Sequence, residues 1–170
     1  MVLFLITGTC GSGKSTVINV LKQKLDKNFF ACYDADELGL NWWDYAGTDH
    51  EYKFSDDCLA MAVKLSGGKN IVMSSCIFPY DYIGLHTVPS QVDSTHFIVL
   101  SADNNVIEKR LKNRPKERGF VSDEKIKPHL EYNTWFINRK NKFNLFVDNT
   151  NLSLQDTVYQ ILKYIKKVTM

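Results

Sequence analysis

A chain of 170 residues with 44% hydrophobic and 24% charged side chains has the size and balance of one globular domain able to bury a core. Its formal net charge of +2 is too small to imply a nucleic-acid or membrane partner, and no apolar run approaches the roughly 20 residues of a membrane span. The four cysteines, Cys10, Cys32, Cys58 and Cys76, make no C-x-x-C pair and no zinc-finger spacing with a histidine, so they read as reduced thiols.

The opening run from Val2 to Ile6 lacks the basic lead-in of a signal peptide and passes straight into a glycine loop. It predicts a strand over 2–7 and a cytoplasmic protein. A helix is predicted over 13–25, with Val17, Val20, Leu21 and Leu25 on one face. A second strand follows over 29–33, then an amphipathic helix over 52–65 with Leu59, Ala62 and Val63 inward, stopped by Gly67 and Gly68. The third and fourth strands are predicted over 70–75 and 96–100, and a helix over 104–112 buries Val106, Ile107 and Leu111. After a charged interruption, 123–142 reads as mainly helical, with Pro128 marking a break or a late start. A fifth strand over 144–147 precedes a helix capped by Ser153, whose inward positions are Val158, Ile161, Leu162 and Ile165. Strands alternating with helices predict an α/β fold with a largely parallel sheet, helices on both faces, and any ligand at the carboxyl ends of the strands.

The most specific feature is G-x-x-x-x-G-K-S/T, matched by Gly8, Gly13, Lys14 and Ser15. Glycines let the backbone curl until successive N–H groups face an anion, and the following helix adds its positive end. The loop is therefore expected to hold nucleotide phosphates through Gly8, Cys10, Gly11, Ser12 and Gly13, with Lys14 at the β- and γ-phosphates, Ser15 on Mg²⁺ and Thr16 at the α-phosphate. Cys10, inside the loop, is a candidate for oxidation or alkylation and not a catalyst.

Asp34 and Asp36 follow the second strand. Two carboxylates one residue apart suit a metal, through Asp34, and a hydroxyl acceptor, which Asp36 would orient or deprotonate. The same spacing, with Glu37 next, also fits a helix cap. All four arginines, Arg110, Arg114, Arg118 and Arg139, fall within one thirty-residue stretch. Arg110 and Arg114 share a helical face, and Arg118 sits in a lid-like segment at about 113–122, where charge for a transferring phosphoryl group is expected.

The whole pattern resembles the small P-loop kinases of the adenylate-kinase-like group, and most of all the branch with shikimate, gluconate and adenylylsulfate kinases and chloramphenicol phosphotransferase. Phe97 to Ala102 followed by Val106 to Leu111 looks like their fourth strand and the helix leading to the lid. Phe146 to Thr150 is similar to their fifth strand and the loop beside adenine, which implies nucleotide contacts at Asn149 and Thr150 as well as Arg110. The resemblance implies a three-layer α/β/α domain over 1–170, sheet order 2-3-1-4-5, ATP and Mg²⁺ as cofactors, and an acceptor segment at about 36–66. It also implies that Arg139 points toward substrate or phosphate.

The acceptor segment departs from nucleoside monophosphate kinases. Between Asp34 and Leu100 there is no arginine to receive an acceptor's phosphate. Aromatics and carboxylates stand there instead, among them Trp42 and Trp43, either of which would wall a pocket for a hydroxylated, neutral or cationic small molecule. No clear Walker B aspartate follows the third strand, where Met73 leads into Ser74 and Ser75. The expected activity is γ-phosphoryl transfer to a small-molecule hydroxyl, by a monomer or homodimer with no nucleic-acid or membrane partner. A nucleotide kinase and a nucleotide-dependent regulatory switch remain the competing readings, the latter without the Asn-Lys-x-Asp signature of guanine-specific switches.

Overall fold

The computed structural model describes residues 1–51, 53–75, 88–115, 120 and 122–169. Five strands form one sheet: β1 (Val2–Thr7), β2 (Phe30–Asp34), β3 (Asn70–Ser74), β4 (Ser94–Ser101) and β5 (Leu145–Asp148). Their order is β2-β3-β1-β4-β5 and every pairing is parallel, as the resemblance implied. Five α-helices accompany them among the described residues: α1 (Lys14–Lys24), α2 (Lys53–Ser66), α3 (Asn104–Lys112), α4 (Asp123–Asn138) and α5 (Leu154–Thr169).

Strand β1 lies at the centre and is buried on both faces, which is why it reads as a continuous apolar run. Its side chains alternate between two cores. Phe4 and Ile6 join Val72, Ile98, Val17, Leu21, Val158 and Ile161, the face covered by α1 and α5. Leu3 and Leu5 join Ile71, Met73, Leu59 and Ala62, the face covered by α2. A smaller third cluster, Ala102, Ile107, Leu111 and Ile126, locks α3 to α4 and takes Cys10 from the glycine loop against it. Each fully buried large side chain contributes about 1.5–3 kcal/mol, so β1 anchors the loop that follows it.

The elements lie within a residue or two of their expected places, with two differences of substance. Strand β4 begins two residues early, at Ser94, because Val2 pairs with it. Helix α4 neither breaks nor starts late at Pro128; it runs unbroken from Asp123 to Asn138 and is followed by a separate 3-10 turn, Lys140–Lys142. A proline in the second turn removes one intrahelical bond, and burial of Ile126, Asn133 and Phe136 outweighs that loss. The last helix starts as expected: Ser153 Oγ accepts from Asp156 N at 3.1 Å and donates to Asp156 Oδ2 at 2.6 Å. Cys32 and Cys58 carry free thiols whose pKa burial pushes up to about 11 and about 12, and Cys76 lies outside the described residues. Among the described residues no helix is long and apolar enough to cross a membrane.

At the amino end of β4, His96 stacks on Phe4, and its Nδ1 lies 2.7 Å from the Tyr164 hydroxyl. Burial lowers its pKa below the ordinary histidine value of 6.5. The unfolded chain therefore takes up this proton first, so stability is full above that value and declines as pH falls through it toward the folded pKa. Denaturant midpoints taken from about pH 7.5 to 5 should fall less steeply for His96→Gln than for the natural chain. Parallel curves would contradict this placement of His96.

Candidate active site

The glycine loop leaves the carboxyl end of β1 and turns into α1 through positive φ at Gly8 (141°), Gly11 (84°) and Gly13 (100°). Gly8 is required twice over: a Cβ there would stand 2.2 Å from the Leu100 carbonyl oxygen, at a φ that L side chains avoid. Helix α1 opens without a side-chain cap and with no acidic residue in its first turn. Its leading N–H groups and the positive end of its dipole thus face outward uncompensated. Lys14 Nζ rests on the loop itself, donating to Gly8 O at 2.8 Å and Thr9 O at 3.0 Å. The Ser12 hydroxyl is fully buried and has no hydrogen-bond partner among the described residues. A glycine-walled bend, a bare helix start, a lysine and an orphan hydroxyl all fit a polyphosphate. Thr9 turns away from this concavity, donating to His129 O at 2.8 Å and so tying the loop to α4.

A cavity of about 320 Å³ adjoins the loop. Gly11, Ser12, Gly13, Thr16 and Val17 line one side, and Arg110, Arg114, Asn149, Leu152 and Thr157 the other. Two arginines expected at the nucleotide are therefore here. Arg114 holds its guanidinium 5.4 Å from the centre of the Phe120 ring. Arg110 is half-buried, which lowers its pKa from the usual arginine value, and it donates to Gly11 O at 3.3 Å and Asn149 Oδ1 at 3.1 Å. Thr150 does not line the cavity; its hydroxyl accepts from Asp103 N and donates to Asp148, joining the loops after β4 and β5. Arg118 lies outside the described residues.

Across β1 the carboxyl ends of β2 and β3 carry the acidic side of the site. Asp34 ends β2 and is 8% exposed; its Oδ1 accepts from Asp36 N at 3.3 Å, capping a short 3-10 turn, Ala35–Glu37. The cap reading therefore holds for Asp34, which makes the turn, and it leaves Asp36 exposed in the middle of that turn with its carboxylate available. Asp34 pairs in register with Ser74, which pairs in turn with Ile6. Alternation puts Ser74 on the α1 face with Val72, and its buried hydroxyl also lacks a partner among the described residues. Ser74 therefore stands where the sequence offered no Walker B aspartate. The available signal was its position, the final residue of an apolar strand facing the same way as Asp34. The oxygens of Ser15, Asp34 and Ser74 are a hard-donor set of the kind that suits Mg²⁺. Among the described residues no cluster of three or more carboxylate, histidine or cysteine ligands offers an alternative.

Farther out, Trp42 and Tyr45 both pack edge-on against Phe54 at 5.3 Å, and the Tyr45 hydroxyl donates to Asp57 at 2.9 Å. Trp43 projects, 79% exposed. Tyr52, Phe78, Tyr80 and Tyr82 fall outside the described residues. Arg139 is not brought to the site. It is the exposed C-cap of α4, roughly 9 Å along the helix axis beyond Asn133, and it stacks on Trp135 at 4.6 Å. The residue of α4 that does reach the strand ends is buried Asn133, which bridges Ser101, Ala102 and Asn104.

A family model described as an AAA domain matches residues 5–127. The chain belongs to the AAA domain family. No curated protein matches its sequence. Among solved structures, this AAA-domain protein is similar to shikimate kinase from Bacteroides thetaiotaomicron, at 15% identity and TM-score 0.64, over 97% of this chain and 98% of that one. It is also similar to a gluconokinase from Sinorhizobium meliloti 1021 (18%, TM-score 0.62, 97% and 91%). A third is deoxyadenosine kinase from M. mycoides (16%, TM-score 0.57, 98% and 100%). At such identities the likeness is one of fold, and it agrees with the resemblance read from the sequence.

Gly8→Ala should destabilise the protein by about 1–3 kcal/mol, because the backbone must move to clear the Leu100 carbonyl. Equilibrium unfolding in urea measures it, and an unchanged midpoint would contradict the close approach of β1 and β4 at this point.

Proposed function

We propose that this AAA-domain protein is an ATP- and magnesium-dependent phosphotransferase that moves the γ-phosphoryl group to the hydroxyl of a small molecule. One observation carries the reading: the bare start of α1, with Lys14 and the partnerless Ser12 hydroxyl, lies at the same sheet edge as the Asp34–Asp36 pair. Magnesium supplies positive charge to the phosphates, and Ser15 and Asp34, with Ser74 beside them, are the residues that would hold it. Lys14 leaves the Gly8 and Thr9 carbonyls for phosphate oxygens when nucleotide binds. The base lies in the cavity formed by Thr16, Val17, Leu152 and Thr157. Asp36 orients the acceptor hydroxyl and takes its proton as the new oxygen–phosphorus bond forms and the bond from γ-phosphorus to the bridging oxygen breaks, releasing ADP. Arg114 and Arg118 add charge from the lid side.

The hydroxyl preference rests on the acceptor side. No arginine lies between Asp34 and Leu100, so a doubly charged acceptor phosphate would find no fork to grip it. Exposed Trp43, part-exposed Trp42 and the nearby Asp36, Asp44 and Asp57 favour a nucleoside, sugar or amino-sugar. The solved kinases of like fold bear the names of hydroxyl-bearing compounds, which supports the same class.

Lys14→Ala should lower kcat/KM about 10²–10³-fold with cooperative unfolding preserved. Asp36→Asn should lower kcat about 10²–10⁴-fold while leaving the ATP dissociation constant unchanged; equal losses in both would reduce Asp36 to a turn residue. ADP release from MgATP, read against a pool of nucleosides, sugars and aminoglycosides and a second pool of nucleoside monophosphates, tests the acceptor. Stimulation by the hydroxyl pool alone is expected. Stimulation by the monophosphates would make this a nucleotide kinase, and an ATP-binding protein silent with both would be a regulatory module.

A further inference from the structure

Arg110 and Asn149 were expected at the nucleotide, and both line the cavity. Their hydrogen bonds are spent on the loop. Asn149 is buried, fixed by its own N–H to Ser101 O at 2.8 Å, and its Nδ2 donates to Ser12 O at 2.8 Å. Arg110 Nη1 donates both to Gly11 O and to Asn149 Oδ1. The three contacts form one closed arrangement linking α3, the end of β5 and two successive peptides of the loop.

The planarity of the peptide bond gives this arrangement a consequence. In a trans peptide the carbonyl and the next N–H point in opposite directions. Drawing the Ser12 carbonyl outward to Asn149 turns the Gly13 N–H inward, toward the concavity. Drawing the Gly11 carbonyl outward to Arg110 turns the Ser12 N–H the opposite way, where Thr9 O accepts it at 3.2 Å and closes the bend. Arg110 also decides which way the Asn149 amide faces. A guanidinium only donates, so it claims Oδ1 and leaves Nδ2 for the Ser12 carbonyl. Two glycines with positive φ flank this stretch, so nothing in their own backbone preference would hold it.

We infer that Arg110 and Asn149 are positioning residues, Asn149 turning the Ser12–Gly13 peptide toward phosphate and Arg110 holding both the Asn149 amide and the closed Gly11–Ser12 bend, and that their effect on binding does not depend on the nucleotide's base or sugar. The inference rests on the proposed phosphate site and deepens it. It separates from a direct nucleotide contact by the ligand used: inorganic tripolyphosphate presents the phosphates without base or ribose.

The experiment is calorimetric titration of the full chain with magnesium tripolyphosphate and with MgATP, for the natural chain, Asn149→Asp and Arg110→Gln. In Asn149→Asp the carboxylate keeps its attraction for Arg110 but meets the Ser12 carbonyl with an acceptor in place of a donor. Both variants should weaken both ligands by about tenfold or more, and by equal factors. Arg110→Lys, which keeps a donor for Gly11 O, should recover part of the loss. A loss confined to MgATP would overturn the inference and make these residues nucleotide contacts. Unchanged affinities would overturn it too. If Asn149→Asp does not unfold cooperatively, the half-buried Arg110 pair of variants decides alone. A natural chain that binds neither ligand would overturn the phosphate site itself.

Discussion

The first turn of α1 concentrates N–H groups that have no intrahelical partner, together with the positive end of the helix dipole, and the fold sets that turn at the middle of the sheet. Most helices quiet such a terminus with a serine, threonine or aspartate cap. Here a glycine occupies the cap position, no carboxylate enters the first turn, and the nearest charge is another cation, Lys14. The surrounding elements keep it so. Strand β1 is clamped between β3 and β4, Gly8 closes against the Leu100 carbonyl, Thr9 is tied to α4, and Arg110 and Asn149 hold the outer carbonyls. A local electrostatic imbalance is built in by long-range packing, and it is one that an anionic ligand would resolve.

The two sides of the sheet edge then differ in sign. Toward β4 and β5 the charged and amide side chains that line the cavity are Arg110, Arg114 and Asn149, while Asp148 accepts from the Thr150 hydroxyl outside it. Toward β2 and β3 they are acidic or hydroxylic: Asp34, Asp36 and Ser74. Phosphoryl transfer needs such a gradient, with positive charge around the group that moves and a base near the hydroxyl that attacks it. The parallel order of the strands brings Asp34 and Ser74 to the edge where the glycine loop lies, and α3 with the residues after it supplies the cations facing that loop.

Much of this was legible in the sequence because it is encoded locally. The loop motif, the buried β1, the stripes of α1, α3 and α5 and the Ser153 cap each depend on residues within a few positions of one another. What the sequence concealed depends on separation. Arg110 meets Gly11 across 99 positions and Asn149 meets Ser12 across 137, and no periodicity announces such pairs. Arg139 followed a family expectation, but the length of α4 carries it past the site, and Asn133 is the residue that arrives. Ser74 is legible as a strand-end residue, but its alignment with Asp34 comes only from strand register, which no local pattern announces. Pro128 spoke against a continuous helix by local rules, and the packing of Ile126 and Phe136 overrode them.

Phosphorus NMR of the products formed from MgATP and the hydroxyl-bearing pool tests the central claim most directly, because a phosphate monoester and a phosphoanhydride give separate signals. The account predicts a new monoester signal growing one for one with ADP and absent with Lys14→Ala. A new anhydride signal in a mixture supplemented with nucleoside monophosphates, with no monoester formed, would contradict it.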